Sequence, residues 1–131
     1  MADSFAFDLV APERRLASFP AKAVQIPGAE GDFTALPDHM PLISSLRPGI
    51  VEAEGADGTR AFVVIQGFAE ITPEGVTIIA ERAFPREEIG RAEIEALLKE
   101  AQEKAETCPP EEKDVADKLV ADIAHLLEMM V

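Results

Sequence analysis

The chain has 131 residues, 47% of them apolar, and a formal net charge of -13. That length suits one ordinary domain or two small ones, and that apolar share excludes global disorder. The charge repels phosphate backbones and anionic lipid, and with no Trp or Tyr the chain lacks stacking platforms, so neither nucleic acid nor direct lipid insertion is expected.

Phe5, Phe7 and Leu9 alternate with Ala6 and Asp8, the period of a half-buried strand, and Pro12-Glu13 breaks it. Leu16–Phe19 is a weaker strand candidate closed by Pro20, and Ala21–Ile26 is the next strand. Then comes the stretch VQIPGAEGDFTALPDHMPL, Val24 to Leu42. Pro27-Gly28 stops its strand, Gly31 sits in a turn, and Pro37-Asp38-His39-Met40-Pro41 makes a stiff exposed corner. Pro fixes φ and Gly frees it, so this density of both defines one loop path, and a loop held that way presents a surface.

Leu42–Leu46 follows, and Pro48-Gly49 turns the chain. Ile50–Glu54 is set to pair with Arg60–Ile65 across Gly55-Ala56-Asp57-Gly58, a hairpin signal. Phe68–Thr72 turns through Pro73-Glu74-Gly75 into Val76–Ala80. Short strands with such regular turn signals predict a β-sandwich or flattened barrel.

Composition switches near Phe84-Pro85. Seven of the ten prolines precede residue 85, as do all eight glycines except Gly90. Beyond it the chain is rich in Ala, Glu, Leu and Lys, which predicts two helices and a division into domains 1–84 and 85–131. The first helix is expected from about Arg86 to Glu106, with the stripe Ile94, Leu97, Leu98, Ala101, Ala105. Glu87→Arg91, Glu95→Lys99 and Glu100→Lys104 are i,i+4 pairs in the favoured order. Thr107-Cys108-Pro109-Pro110 ends that helix, and Pro110, Glu111 and Glu112 open the second. Its stripe is Val115, Leu119, Ile123, Leu126 and Met130. So short a connection predicts an antiparallel hairpin, stripe against stripe.

No catalytic or metal-binding constellation stands out. His39 and His125 are far apart, Cys108 has no neighbouring His, and there is no CxxC, HExxH, GxGxxG or P-loop spacing. His125 reads as an ordinary helix-face residue and Cys108 as a loop thiol. A single cysteine allows no internal disulfide, no run approaches the roughly 18 apolar residues of a membrane span, and the N-terminus carries no targeting pattern. The expectation is a soluble intracellular protein. His39, between two prolines, suits a structural turn residue as well as a contact residue.

At this corner the sequence resembles the epsilon subunit of bacterial F-type ATP synthases. The resemblance rests on Val24-x-Ile26-Pro27-Gly28-x-x-Gly31-x-Phe33 followed by Leu36-Pro37-x-His39-x-Pro41-Leu42. Leu46-x-Pro48-Gly49-Ile50, Gly67-Phe68-Ala69-Glu70 and Val76–Glu81 continue it, while Thr34-Ala35 departs from the usual Gly-Val pair. It implies an α+β fold: a ten-stranded β-sandwich, or flattened barrel, then an antiparallel two-helix hairpin. It implies a non-catalytic rotor subunit of the central stalk, peripheral at the cytoplasmic face of the inner membrane. Such a subunit joins gamma to the membrane c-ring and couples proton-driven rotation to ATP synthesis. Glu30, Gly31, Asp32 and His39 would then lie in loops facing the ring.

Many relatives use the hairpin as a brake on the catalytic head, through a basic second helix. Here Lys113 and Lys118 stand against Glu111, Glu112, Asp114, Asp117, Asp122 and Glu128, so at most weak inhibition is expected. Some relatives bind ATP there through Ile or Leu, Asp, two variable residues, Arg and Ala. Arg91-Ala92 matches the end, but Glu88 replaces the Asp and Glu87 the apolar residue, so no cofactor is expected beyond weak ATP binding. Two readings from other classes stand beside this one. One is a small non-catalytic binding module whose hairpin docks a partner helix; the other is an enzyme pairing His39 with Asp38 as acid and base.

Overall fold

The computed structural model describes residues 4–129. Seven strands come first: β1 (Phe5–Ala11), β2 (Arg14–Gly28), β3 (Gly31–Ala35), β4 (Leu42–Leu46), β5 (Gly49–Gly55), β6 (Gly58–Thr72) and β7 (Gly75–Pro85). Two helices follow, α1 (Arg91–Thr107) and α2 (Lys113–Met129), each preceded by a 3-10 turn, Arg86–Glu88 and Pro110–Glu112. The chain divides after Arg86 into two compact units, two residues beyond the compositional switch.

The class is the expected sandwich-then-hairpin, but the described residues form seven strands, not ten. Long strands absorb neighbouring segments. Leu16–Phe19 and Ala21–Ile26 are one strand, β2, running through Pro20. Proline lacks an N–H, but β5 takes up the second edge of β2 only from Ala21 onward, so little pairing is lost. Arg60–Ile65 and Phe68–Thr72 are likewise one strand, β6, bent at Gln66 (φ 57°) and Gly67 (φ 140°). That bend sits where the edge of β6 passes from β5 (Gly49 opposite Val64) to β4 (Leu46 opposite Gly67). A third difference is β3, which forms inside the proline-glycine stretch. The two-residue turn Ala29-Glu30 returns the chain so that Gly28 faces Gly31 and Ile26 faces Phe33.

Pairing closes on itself. β1 pairs with β2, β2 with β5, β5 with β6, β6 with β7, and β7 returns parallel to β1. Closure leaves few free edges, and β3 and β4 extend the ring where β2 and β6 overrun it. The expected β5–β6 hairpin forms across Gly55–Gly58, in the register Glu54 opposite Thr59 and Ile50 opposite Val63.

The core lies inside this ring. Phe5, Phe7 and Leu9 point in from β1, as the alternation predicts. The Phe7 ring lies 5.3 Å from Phe19 and 6.1 Å from Phe62. Full burial, as at Phe7 and Phe62, contributes about 1.5–3 kcal/mol per ring, and the half-buried Phe19 less. The core cluster contains sandwich residues alone, so this unit has its own core.

In the second unit α1 starts five residues later than expected, because Gly90 stands extended as its N-cap. The Gly90 N–H donates to Glu93 Oε2 at 2.9 Å. Arg91 therefore begins the helix and reaches forward to Glu95 at 3.2 Å, while Glu87 lies in the preceding 3-10 turn. Ile94, Ala101 and Ala105 are buried on α1, and Ile123 and Leu126 on α2. Val115 is not on the stripe; it is 70% exposed. Each i+4 step overshoots a helical turn by about 40°, so Val115, two such steps before Ile123, lies about 80° round from it and off the buried face. Met130 lies outside the described residues. Lys113 reaches Ala105 at one end and Arg91 reaches Leu127 at the other, which makes the helices antiparallel as expected.

Candidate functional site

The corner from Ala29 to Arg47 is pinned from several sides. The Ala29 N–H donates to the Ser45 carbonyl at 2.8 Å and the Arg47 N–H to the Pro27 carbonyl at 3.0 Å. The Arg47 guanidinium also forms an ion pair with the Asp32 carboxylate. Asp38 takes a left-handed conformation (φ 65°), which Asp tolerates, and its N–H reaches the Pro73 carbonyl at 3.3 Å. His39 closes the corner locally. Its N–H donates to the Leu36 carbonyl at 3.1 Å, and its Nδ1 lies 2.6 Å from the Met40 carbonyl. That second contact assigns the proton to Nδ1. So His39 holds the shape of the corner, and its Nδ1 is turned to the Met40 carbonyl.

The structure brings Glu30, Gly31 and Asp32 together at the tip of the β2–β3 hairpin, all exposed. They line one side of an open groove of about 550 Å³, with Leu42, Ile43 and Ser44 on the other. His39 is not among the residues lining that groove. The groove wall is mixed, with Ile43 69% exposed and Leu42 also in water beside Glu30 and Asp32. Elsewhere on the corner Met40 is 79% exposed and Leu36 is exposed too.

A second apolar surface was not legible as a site. Phe68 on β6 stands directly opposite Ile79 on β7, and both are exposed. Ile79 faces Val10 on β1, and Phe68 faces Ser45 on β4. Directly paired residues share a face, so Val10, Ile79 and Phe68 form one outer row, with Ile43 two residues along β4. The signal lay in the alternation: Ala69 and Ile71 take the inward phase of β6, so Phe68 occupies an outward position where a polar residue is usual. Patches of this kind mark contact surfaces.

On the hairpin, Glu88 belongs to the 3-10 turn, whereas Arg91 and Ala92 open α1. The turn and Gly90 separate Glu88 from Arg91, so the three do not share one regular helix face. Among the described residues no cluster of His, Cys, Asp and Glu is arranged to hold a metal ion, and no helix is long and apolar enough to cross a membrane.

Residues 4–86 match the family described as the β-sandwich domain of the ATP synthase delta/epsilon chain. An ATP synthase epsilon chain of Ruegeria sp. (strain TM1040) is 48% identical over 130 residues, covering 99% of this chain and 93% of that one. A chain of the Euglena gracilis mitochondrial ATP synthase, solved with OSCP, F1 and the c-ring, superposes with a TM-score of 0.76 at 25% identity. That match covers 98% of this chain and 82% of that one. A chain from the central stalk and c-ring of the Tetrahymena thermophila mitochondrial ATP synthase shares the fold, with a TM-score of 0.64 at 14% identity. It covers 95% of this chain and 94% of the other.

Proposed function

The chain belongs to the ATP synthase delta/epsilon family, and from that premise we propose that it is a non-catalytic central-stalk subunit. In this reading it couples c-ring rotation to ATP synthesis by joining gamma to the ring, as a peripheral protein on the cytoplasmic side. The observation that carries it is the pairing of two contact surfaces on one rigid, closed sheet: the apolar row Val10–Ile79–Phe68 and the pinned corner at Ala29–Ile43. A coupling element has to hold two partners at once, and ring closure joins the two surfaces through continuous strand pairing with few open edges. The row is assigned to gamma. Glu30, Gly31, Asp32 and His39 are assigned to the ring-facing end, with Asp32 oriented by Arg47 and His39 shaping the corner.

Pull-down from membranes tests this. Tagged chain is expected to retain gamma and ring subunits, and a folded Phe68→Glu variant is expected to lose gamma. Equal retention by that variant removes the row from the interface.

The hairpin is assigned weak braking at most. Acidic residues dominate α2, and an acidic segment of the head would be repelled. ATPase activity of the assembled enzyme should change little on deleting residues 86–131; a large rise refutes this. ATP binding at Glu88, Arg91 and Ala92 is also assigned as weak. A phosphate at Arg91 would share the guanidinium with the Glu95 carboxylate, which would repel it, and with the Leu127 carbonyl. Micromolar affinity by titration calorimetry would overturn that.

A further inference from the structure

The two helices are tied to each other by matched contacts at opposite ends. Arg91 is the first residue of α1, and its Nη1 donates to the carbonyl of Leu127 in the last turn of α2 at 3.4 Å. Lys113 is the first residue of α2, and its Nζ donates to the carbonyl of Ala105 in the last turn of α1 at 3.0 Å.

Each cation has a carboxylate one turn on in its own helix, Arg91 with Glu95 at 3.2 Å and Lys113 with Asp117 at 2.9 Å, but its place in the first turn is unfavourable. A positive charge in the first turn opposes the macrodipole, which favours acids there and cations at the C-terminus. In the packed hairpin each cation meets the negative end of the other helix instead. The carbonyls it meets are short of donors. The last four carbonyls of a helix have no intrahelical partner, and for Ala105 the residue four positions on is Pro109, which has no N–H. The Cys108 thiol offers a long contact to the same oxygen at 3.6 Å, and the Lys113 ammonium makes the short one.

We propose that Arg91 and Lys113 form a reciprocal latch, each capping the opposite helix, that holds α1 and α2 closed on one another. Separating the helices hands both carbonyls to water and leaves both cations, paired only with Glu95 and Asp117, at the unfavourable end of their own dipole. The latch thus biases the hairpin toward its packed state. The inference goes beyond the rotor reading and stands on the hairpin alone.

Residue-resolved hydrogen exchange on the full chain tests it. Lys113→Met keeps the aliphatic stem and removes the donor. It should speed exchange in the last turn of the other helix, Lys104 to Cys108, by about two- to tenfold, the range for one lost hydrogen bond. Arg91→Met should do the same to Leu126–Met129, and Lys113→Arg and Arg91→Lys should stay near wild type. Lys118→Met, which removes an exposed pair with Asp122, should leave both helix ends unchanged. Change confined to the mutated helix overturns the latch, as does Lys113→Arg behaving like Lys113→Met. Should Lys113→Met fail to fold, Arg91→Met carries the same cross-helix readout.

Discussion

Arg47 and Asp32 meet as an ion pair across fifteen residues of chain, joining the start of β3 to the segment after β4. The Asp32 carboxylate is 69% exposed and the Arg47 side chain 22%, so water screens the pair and its contribution to stability is at most about 1 kcal/mol. Its role is orientation. Arg47→Ala should lower the free energy of unfolding by no more than about that amount. It should also speed exchange at Gly31–Phe33 and weaken ring association, with the wild-type advantage shrinking as salt rises. Denaturant unfolding beside ring pull-down checks both. A loss of several kcal/mol would make the pair a stability element instead.

Gly67 and Gly31 both sit at positive φ, 140° and 146°, yet their substitution should differ sharply. A Cβ on Gly67 would drive into the Ile79 carbonyl oxygen and lie 2.7 Å from the Ala80 Cα, both backbone of β7 and unable to swing away. A Cβ on Gly31 meets nothing within 4 Å. Gly31→Ala therefore carries backbone strain alone, about 1–3 kcal/mol. Gly67→Ala adds a backbone clash and should cost more or prevent folding. Thermal melts of the two variants rank them, and equal midpoints would contradict the bend at Gln66-Gly67.

Phe68→Glu and Ala69→Glu place the same charge one residue apart on β6. Phe68 is 41% exposed and Ala69 is buried. The first should keep its melting temperature within a few degrees and lose gamma from a pull-down. The second buries an unpaired carboxylate and should unfold the sandwich. Circular dichroism melts separate the two before any binding is measured.

What the sequence disclosed was local. The inward phase of Phe5, Phe7 and Leu9, the hairpin at Gly55–Gly58 and the turn at Pro73-Glu74 are fixed by near neighbours, and each has the predicted geometry. What it hid was set at a distance. Pro20 reads as a stop, yet it lies within β2 because a pairing decision made by β5 begins only at Ala21. Gln66-Gly67 reads as a break, yet β6 continues because β4 and β5 share its edge in turn. At the candidate site, Glu30, Gly31 and Asp32 are singled out by the resemblance carried on the Val24–Leu42 stretch, since composition and spacing alone mark only a turn there. Phe68 and Ile79 were passed over because outward apolar residues look like core residues until the pairing register is known.

The Lys113 ammonium gives the hairpin a dependence on alkaline pH. Its pKa is raised above 10.5, first by the hydrogen bond to Asp117, with the charges of Asp117, Cys108 and Glu106 adding to it and desolvation opposing. A cation whose pKa is higher in the folded chain contributes its full stabilisation below the unfolded value and loses it as pH rises through the folded one. Helical stability against urea, taken as wild type minus Lys113→Met, should therefore be flat through neutrality and fall only as pH passes 10.5. Taking the difference cancels the titration of the other lysines. A difference that vanished already near neutral pH would show that the ammonium of Lys113 is not what ties α2 to the last turn of α1.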